Sequence, residues 1–395
     1  MKSITEALKY LKTIGIELSE DEYLANGKKK AIVGMSGGVD SSVCAVLTQL
    51  MGFETIGIFM RNWEEIDASG VCTAEEDYKD VVGVCEHLDI PYYSLNLSQE
   101  YKDLVFDEFV EEYKKGHTPN PDILCNREIK FKVFFEKAIE LGGDYLVTGH
   151  YCRKSLNEKN QFQLLKGLDH NKDQSYFLYA IKGEVLDKVL FPIGHLEKPI
   201  VRKVAEDFKL VTMKKKDSTG ICFIGERNFK KFLLEYINSQ KGSFIHLDNS
   251  RVMGSHDGMC FYTIGQRKGL GLGGPGGPWF VASKDTLSNT VFVVEGEYHP
   301  ALYADELIAD EITWINDAPE FPVKCQVKIR YRQADQACTV HQESDEELRI
   351  VFHAPQRAIA IKQSVVLYQG DVCLGGAQIK TVGPSYYEQG KLPVL

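Results

Sequence analysis

Residues Gly34, Met35, Ser36, Gly37, Gly38, Val39, Asp40, Ser41 and Ser42 form the most chemically suggestive string in the chain. It follows the strand-like run from Ala31 and precedes a helical pattern that stops near Gly52, so it reads as a strand-to-helix turn. Adjacent glycines let the backbone come close to an anion. The helix that follows aims its unbonded N–H groups and the positive end of its dipole at that anion. Ser36, Ser41 and Ser42 add hydroxyl donors. An acid beside a phosphate makes sense if Asp40 holds Mg2+. No G-K-S/T is present, so this is not the kinase-type loop. A glycine pair alone would mean only a tight turn with a serine cap; the whole S-G-G-x-D-S-S string is far more specific. Met60 ends a second strand and would line an adenine pocket or simply fill core. Gly149 sits where a second backbone contact to a nucleotide would fall.

Two thiols stand out among ten scattered cysteines. Cys125 lies in a proline-bounded segment, Asn120 to Asn126, just before a helix expected over Glu128–Leu141. A thiol near a helix N-terminus forms thiolate more readily. Asp122 is close in sequence and could carry a proton. Cys222 is bracketed by Gly220 and Gly225, with Lys214, Lys215, Lys216 and Arg227 supplying positive charge. That combination suits a sulfur carrier, whereas a small buried thiol is the ordinary alternative for either cysteine. A nucleotide site plus two candidate thiolates suggests sulfur chemistry, in which adenylation turns a carbonyl oxygen into a leaving group and a persulfide supplies the sulfur. With no C-x-x-C pair, a structural zinc site is not expected.

The elements that must position these residues alternate. Strands are expected at Ala31–Met35, Thr55–Met60, Pro91–Leu97 and Asp144–Thr148. Helices are expected near residues 40–52, from Thr73 to about Asp89, and over Gln99–Lys115. Such alternation predicts a parallel sheet with its ligand site at the carboxyl ends of the strands. Ile4, Leu8, Leu11 and Ile14 give a helical stripe in an outer extension over residues 1–27. After Gly183 the pattern is mostly helical, and from Ser243 it changes to short strands. Gly269 to Pro278 holds six glycines and two prolines and reads as a loop. Val323–Val327, Ala337–Val340, Leu348–Phe352 and Ser364–Tyr368 suggest a small β-barrel. Lys328, Arg330 and Arg332 would alternate along a strand, with Tyr331 on its other face, as a basic surface for RNA or simply a solvated one.

Length and charge bound the rest. The 395 residues allow two or three domains, and the net charge of -10 requires any RNA contact to use local basic patches. No stretch is long and apolar enough for a membrane span. The early residues carry acids and no arginine before Arg61, unlike a secretory or mitochondrial leader, so the cytoplasm is expected.

Taken together, the strings resemble the tRNA-specific 2-thiouridylases, whose nucleotide turn is the pyrophosphatase (PP) loop of N-type ATP enzymes. The matching runs are Gly34 to Ser42, Thr118 to Asn126, Thr148 to His150, Asn171 to Phe177, Asp217 to Arg227, Tyr262 to Gly269 and Lys328 to Arg332. The resemblance spans about Lys30 to Ile379, and residues 1–27 depart from the usual family start. It implies an α/β fold: a Rossmann-like PP-loop domain at 28–210, a small central domain at 211–290 carrying Cys222, and a C-terminal β-barrel at 291–395. It implies ATP, bound by Gly34 to Ser41 with Met60 and Gly149, and 2-thiolation of the wobble uridine. Cys125 would be the nucleophile and Cys222 the persulfide carrier, joined by a disulfide bond after one turnover. Asn120, Pro121 and Asp122 would meet the target base. His150, Lys172, Asp173, Gln174, Arg330, Tyr331 and Gln378 would lie on tRNA. A cysteine desulfurase or relay protein would supply the sulfur.

Three rival readings explain less. A small-molecule ligase explains the turn and not Cys222, and a non-catalytic tRNA-binding or relay protein leaves the intact PP-loop idle. An iron–sulfur cluster on Cys125, Cys222 and Asp122 would change the chemistry and keep the function.

Overall fold

The computed structural model describes residues 3–63, 73–217, 229–273 and 276–393. The chain divides into two compact units. The first takes residues 1–105, 122–225 and 371–373; the second takes 106–121, 226–370 and 374–395.

The first unit is built on a parallel sheet. Its strands β1 (Lys30–Met35), β2 (Glu54–Arg61), β3 (Tyr92–Asn96) and β4 (Tyr145–Val147) precede a hairpin, β5 (Cys152–Leu156) and β6 (Phe162–Lys166). A fifth parallel strand, β7 (Val189–Leu190), completes the order β3-β2-β1-β4-β7. Central strands of such sheets are covered on both faces and read as continuous apolar runs. That is why Ala31, Ile32, Val33 and Met35 are all buried in β1. From β1 the chain winds to β2 and β3 on one side, then returns to β4 on the other, pairing Val33 with Val147. Winding reverses between β1 and β4, so their carboxyl ends frame the crevice where open α/β sheets take ligands.

The Val39–Leu50 helix follows β1 and buries Val39, Val43, Ala45, Val46, Leu47 and Leu50, so it is a core helix rather than a one-faced surface one. The extension expected at 1–27 contains two helices, Ile4–Thr13 and Glu20–Asn26, each started by a Ser–Glu capping box. Ala7, Leu11 and Ile14 join the same core as Val43 and Leu47. Tyr10 donates to Asp207 at 2.8 Å and packs edge-on against Phe208. Residues 371–373 belong to this unit too: Val372 and Cys373 pair with Leu165 and Leu164 of β6.

In the second unit β8 (Gly242–His246), β9 (Val252–His256), β10 (Trp279–Asp285) and β11 (Thr290–Glu295) form a sheet in the order β10-β11-β8-β9. Then come β12 (Tyr303–Trp314), β13 (Val323–Lys328), β14 (Gln336–Gln342), β15 (Leu348–Arg357), β16 (Ser364–Gln369) and β17 (Val372–Val382). Their order is β12-β15-β14-β13-β16-β17, and pairing of β12 with β17 closes a six-stranded barrel. Val327, Cys338, Val340, Ile350, Leu367 and Ile379 fill it. The four short β runs expected from the sequence are its middle strands; β12 holds the acids Asp305, Glu306, Asp310 and Glu311 and β17 the pair Gly375 and Gly376, residues that mask a strand pattern.

Two local stretches differ from their sequence pattern. The basic strand ends at Lys328, and residues 329–332 form a turn. Gln333 causes it, with its N–H on the Arg330 carbonyl at 3.1 Å and its side-chain oxygen accepting from Ile329 at 2.9 Å. Lys328, Arg330 and Arg332 therefore do not share one strand face. The helix expected from Glu128 begins instead at Pro121 and runs to Glu140, so Cys125 sits one turn inside it rather than in a loop before it. Proline suits a first helical turn, where its missing N–H is not needed.

Candidate active site

The turn after β1 is held by its own serines. Ser36 N–H donates to Ser41 Oγ at 3.1 Å, and the two hydroxyls are 3.1 Å apart. Ser42 Oγ donates to the Gly38 carbonyl at 2.8 Å. Gly37 has φ +72°, and a Cβ there would lie 2.7 Å from the Asp77 carbonyl, so only glycine fits. Gly38 then caps the Val39–Leu50 helix in extended conformation with no side-chain cap bond. A helix start without a capping side chain presents its backbone donors to whatever occupies the crevice.

Strand β4 delivers the second edge. A Cβ on Gly149 would stand 3.2 Å from Ser41 N and 3.4 Å from Asp40 Cβ, so this glycine lets the two strand ends meet. Next to it His150 is buried, with Nδ1 2.9 Å from Thr148 Oγ1. Burial drives its pKa well below the ordinary value, and the charge of Lys130 adds to that. Met60 is half-buried at the end of β2, paired with Leu95.

Asp40 is the hub. Its Oδ1 accepts from Tyr151 at 2.9 Å and from Lys198 Nζ at 2.7 Å, and its Oδ2 accepts from Lys198 at 2.9 Å. Lys198 also pairs with Asp217 at 2.9 Å. Asp217 is gripped besides by Lys172 at 2.7 Å and Arg202 at 2.5 Å. Partial burial pushes the Asp217 carboxyl up, but the Lys172 and Lys198 ammonium groups outweigh that and hold it well below the usual carboxylate range. Burial first, and Asp40 second, raise the Tyr151 phenol, so it remains a donor to Asp40. Nothing in the sequence singled out Tyr151, Lys198 or Arg202. Lys198 and Arg202 share the Lys198–Asp207 helix while Tyr151 precedes β5, and only the fold brings them to Asp40 and Asp217.

The Cys125 helix lies against this crevice. Its Phe134 ring would be 3.2 Å from a Cβ on Gly34, and its Phe131 ring centroid is 5.7 Å from that of His150. The stretch Cys125–Val133 is wound as a π-helix, a rare form that recurs at functional sites. Cys125 is 2% exposed. Asp122 lies three residues before it, a neighbour on the same helical face. Burial raises the Asp122 carboxyl, and Lys130 partly offsets that. Asn126 Nδ2 donates to the Phe177 carbonyl at 3.1 Å. Cys222 falls within residues 218–228, outside the described residues.

The residues expected on RNA divide between the units. In the first, Lys172 is paired to Asp217, and Asp173 is buried, accepting from Gly167 and Ser175 at 3.1 Å each. Gln174 accepts from Tyr151 N at 3.0 Å. In the second, the loop before Pro121 is pinned: Gln363 donates to the Thr118 carbonyl, and Lys284 to Gly116 and Tyr262. Asn120 is half-buried beyond it. Arg330 donates to the Ile264 and Ala358 carbonyls at 3.2 and 2.6 Å, Tyr331 is half-buried in the turn, and Gln378 accepts from Lys362.

A glycine–serine turn with an acid in the first helical turn, at the switch point of a parallel sheet, is the architecture of a nucleotide-binding α/β domain. A family model described as a tRNA methyl transferase HUP domain matches residues 29–226. Models described as a tRNA methyl transferase PRC-barrel domain and an aminomethyltransferase beta-barrel domain match 230–295 and 304–379. The chain is 54% identical to the tRNA-specific 2-thiouridylase MnmA of Protochlamydia amoebophila, over 92% of this chain and 96% of that protein. It is 52% identical to the enzyme of the same name from Staphylococcus saprophyticus, over 93% and 99%. Among solved structures it is similar to the U34-tRNA thiolase NcsA from Methanococcus maripaludis, at 20% identity and TM-score 0.36, over 55% of this chain and 68% of that one. Identity above one half across nearly the whole length decides the matter over the wording of the domain models: the chain belongs to the tRNA-specific 2-thiouridylase family.

Proposed function

We propose that this enzyme thiolates the 2-position of the wobble uridine of tRNA in the cytoplasm, at the expense of ATP, giving AMP and pyrophosphate. The observation that carries the reading is the meeting of Asp40, the serine-rich turn and Gly149 at the ends of adjacent strands, with the Cys125 helix packed beside them. The N–H groups of Gly38, Val39 and their neighbours would cradle the phosphates, with Met60 toward the adenine. Asp40 is a hard oxygen donor of the type magnesium prefers, and its place in the first turn fits a metal carried in with ATP.

The chemistry we propose for that site runs in three steps. The uridine 2-oxygen attacks the α-phosphate, pyrophosphate leaves, and C2 becomes electrophilic. The terminal sulfur of a persulfide on Cys222 attacks C2, and AMP departs with the former 2-oxygen. Cys125 then attacks the Cys222 sulfur, releasing the transferred sulfur on the base and leaving a Cys125–Cys222 disulfide for a reductant to open. Asp122, whose carboxyl is raised by burial, would hold a proton within a helical turn of Cys125. Asn120, Pro121, His150, Lys172, Asp173, Gln174, Arg330, Tyr331 and Gln378 would meet the tRNA, Asp173 and Gln174 by shaping their loop. A cysteine desulfurase or relay protein would load Cys222.

Two measurements test this. Cells lacking the enzyme should contain wobble uridines without 2-thio sulfur by nucleoside mass analysis; unchanged 2-thiouridine would end the proposal. With tRNA, the products from ATP should be AMP and pyrophosphate, and Asp40→Ala should abolish them. ADP as the main product would end the adenylation step.

A further inference from the structure

The nucleotide turn carries no lysine of its own, and the cation that reaches it comes from far along the chain. Lys198 opens the Lys198–Asp207 helix, where Glu197 is the extended cap and Pro199 follows. Its backbone N–H is fixed by Asp169 Oδ2 at 3.0 Å. Its side chain is 12% exposed and its ammonium spans Asp40 at 2.7 Å and Asp217 at 2.9 Å. Both oxygens of Asp40 are therefore engaged, by Lys198 and by Tyr151.

That arrangement conflicts with a metal on Asp40. Three of the roughly four lone-pair positions of that carboxylate are taken, and a dication set beside it repels the ammonium, so Lys198 and a metal compete for Asp40. Asp217 cannot fully compensate, because Lys172 and Arg202 already bind it. A mostly buried ammonium that loses a carboxylate needs another anion. The phosphates that bring the metal are the anions at hand.

We infer that Lys198 is a nucleotide-site cation: it holds Asp40 before nucleotide binds, passes to a phosphate oxygen when Asp40 takes the metal, and keeps Asp217 throughout. Lys198 thereby ties the occupancy of the turn to the chain at Asp217. The inference rests on the nucleotide reading above and deepens it.

The test uses the full-length enzyme, Lys198→Met, which keeps the stem volume without the charge, and Lys198→Arg. Equilibrium binding of Mg·ATP, without tRNA, should weaken about tenfold or more in Lys198→Met, as expected for loss of a charge-assisted bond. Lys198→Arg should recover most of it. Binding of Mn2+ alone, read by electron paramagnetic resonance, should tighten in Lys198→Met because the competitor for Asp40 is gone; a purely structural role would not tighten it. Should Lys198→Met fail to fold, the unmodified enzyme decides: acetylation of Lys198, mapped by mass spectrometry, must fall severalfold on adding Mg·ATP. Equal Mg·ATP affinity in Lys198→Met, or unchanged acetylation, overturns the inference. If the unmodified enzyme binds no Mg·ATP, the nucleotide reading fails instead.

Discussion

The nucleotide turn and the Cys125 helix lie side by side in the first unit, yet they are made in opposite ways. The turn is local: Ser36, Gly38, Ser41 and Ser42 bond to one another within a few residues, and the groups it presents are backbone N–H. The Cys125 site is non-local: its thiol is buried and its helix is underwound over a π stretch. Phe131 settles against His150, between β4 and β5, and Phe134 against Gly34 of β1. A site made of backbone tolerates few changes in conformation and many in distant packing; a site made of a packed side chain has the reverse sensitivity.

The largest expected effect separates the two regions by chemistry. Cys125→Ser should lower 2-thiouridine formation on the order of a thousandfold, as removal of a nucleophile does, while AMP formation persists. Single-turnover assays with a labelled sulfur donor would measure both. Collapse of AMP formation together with thiolation would show that the regions do not act separately. Being 2% exposed, Cys125 should also be alkylated slowly in the enzyme without tRNA.

A smaller effect should come from the turn. Gly37→Ala forces a side chain into a left-handed backbone position and against Asp77 at 2.7 Å. Strain of this kind costs about 1–3 kcal/mol, so nucleotide affinity should fall roughly ten- to a hundredfold. Slow Cys125 alkylation should be unchanged. Faster alkylation in Gly37→Ala would mean that the turn also supports the helix.

The smallest effect is on stability. His150 is buried between the regions with its pKa held below the ordinary 6.5. A depressed pKa means the folded protein takes up its proton later than the unfolded chain does. Stability from this group is therefore full above pH 6.5 and is lost as the pH falls, by at most about 1.4 kcal/mol per pH unit. Urea melts at pH 7, 6 and 5 should show that decline flattened in His150→Phe. An unchanged slope would place the acid sensitivity elsewhere.

The same contrast explains what the sequence disclosed. Strands β1 to β4 and the Val39–Leu50 helix were legible because apolar period and glycine placement are local signals. The start of the Cys125 helix was not, because Pro119 and Pro121 read as a loop while Pro121 in fact begins the helix. Lys328 to Arg332 alternate in sequence, but Gln333, three residues beyond Arg330 and four beyond Ile329, folds them into a turn. Lys198 was invisible for a further reason: a lysine at a helix start has no pattern until Asp40, nearly 160 positions earlier, is placed beside it.

The path of the chain carries one more consequence. Residues 106–121 complete the second unit, but the rest of that unit begins at 226, and the first unit takes 371–373 from near the end. On a ribosome adding about 5–20 residues per second, the segment 106–121 therefore waits roughly 5–20 seconds for its partners. The edge of β6 waits until almost the whole polypeptide has been made. Neither half can finish folding as it emerges, so during synthesis Phe106 and Phe109, destined to be buried, are exposed aromatic surface of the kind chaperones hold.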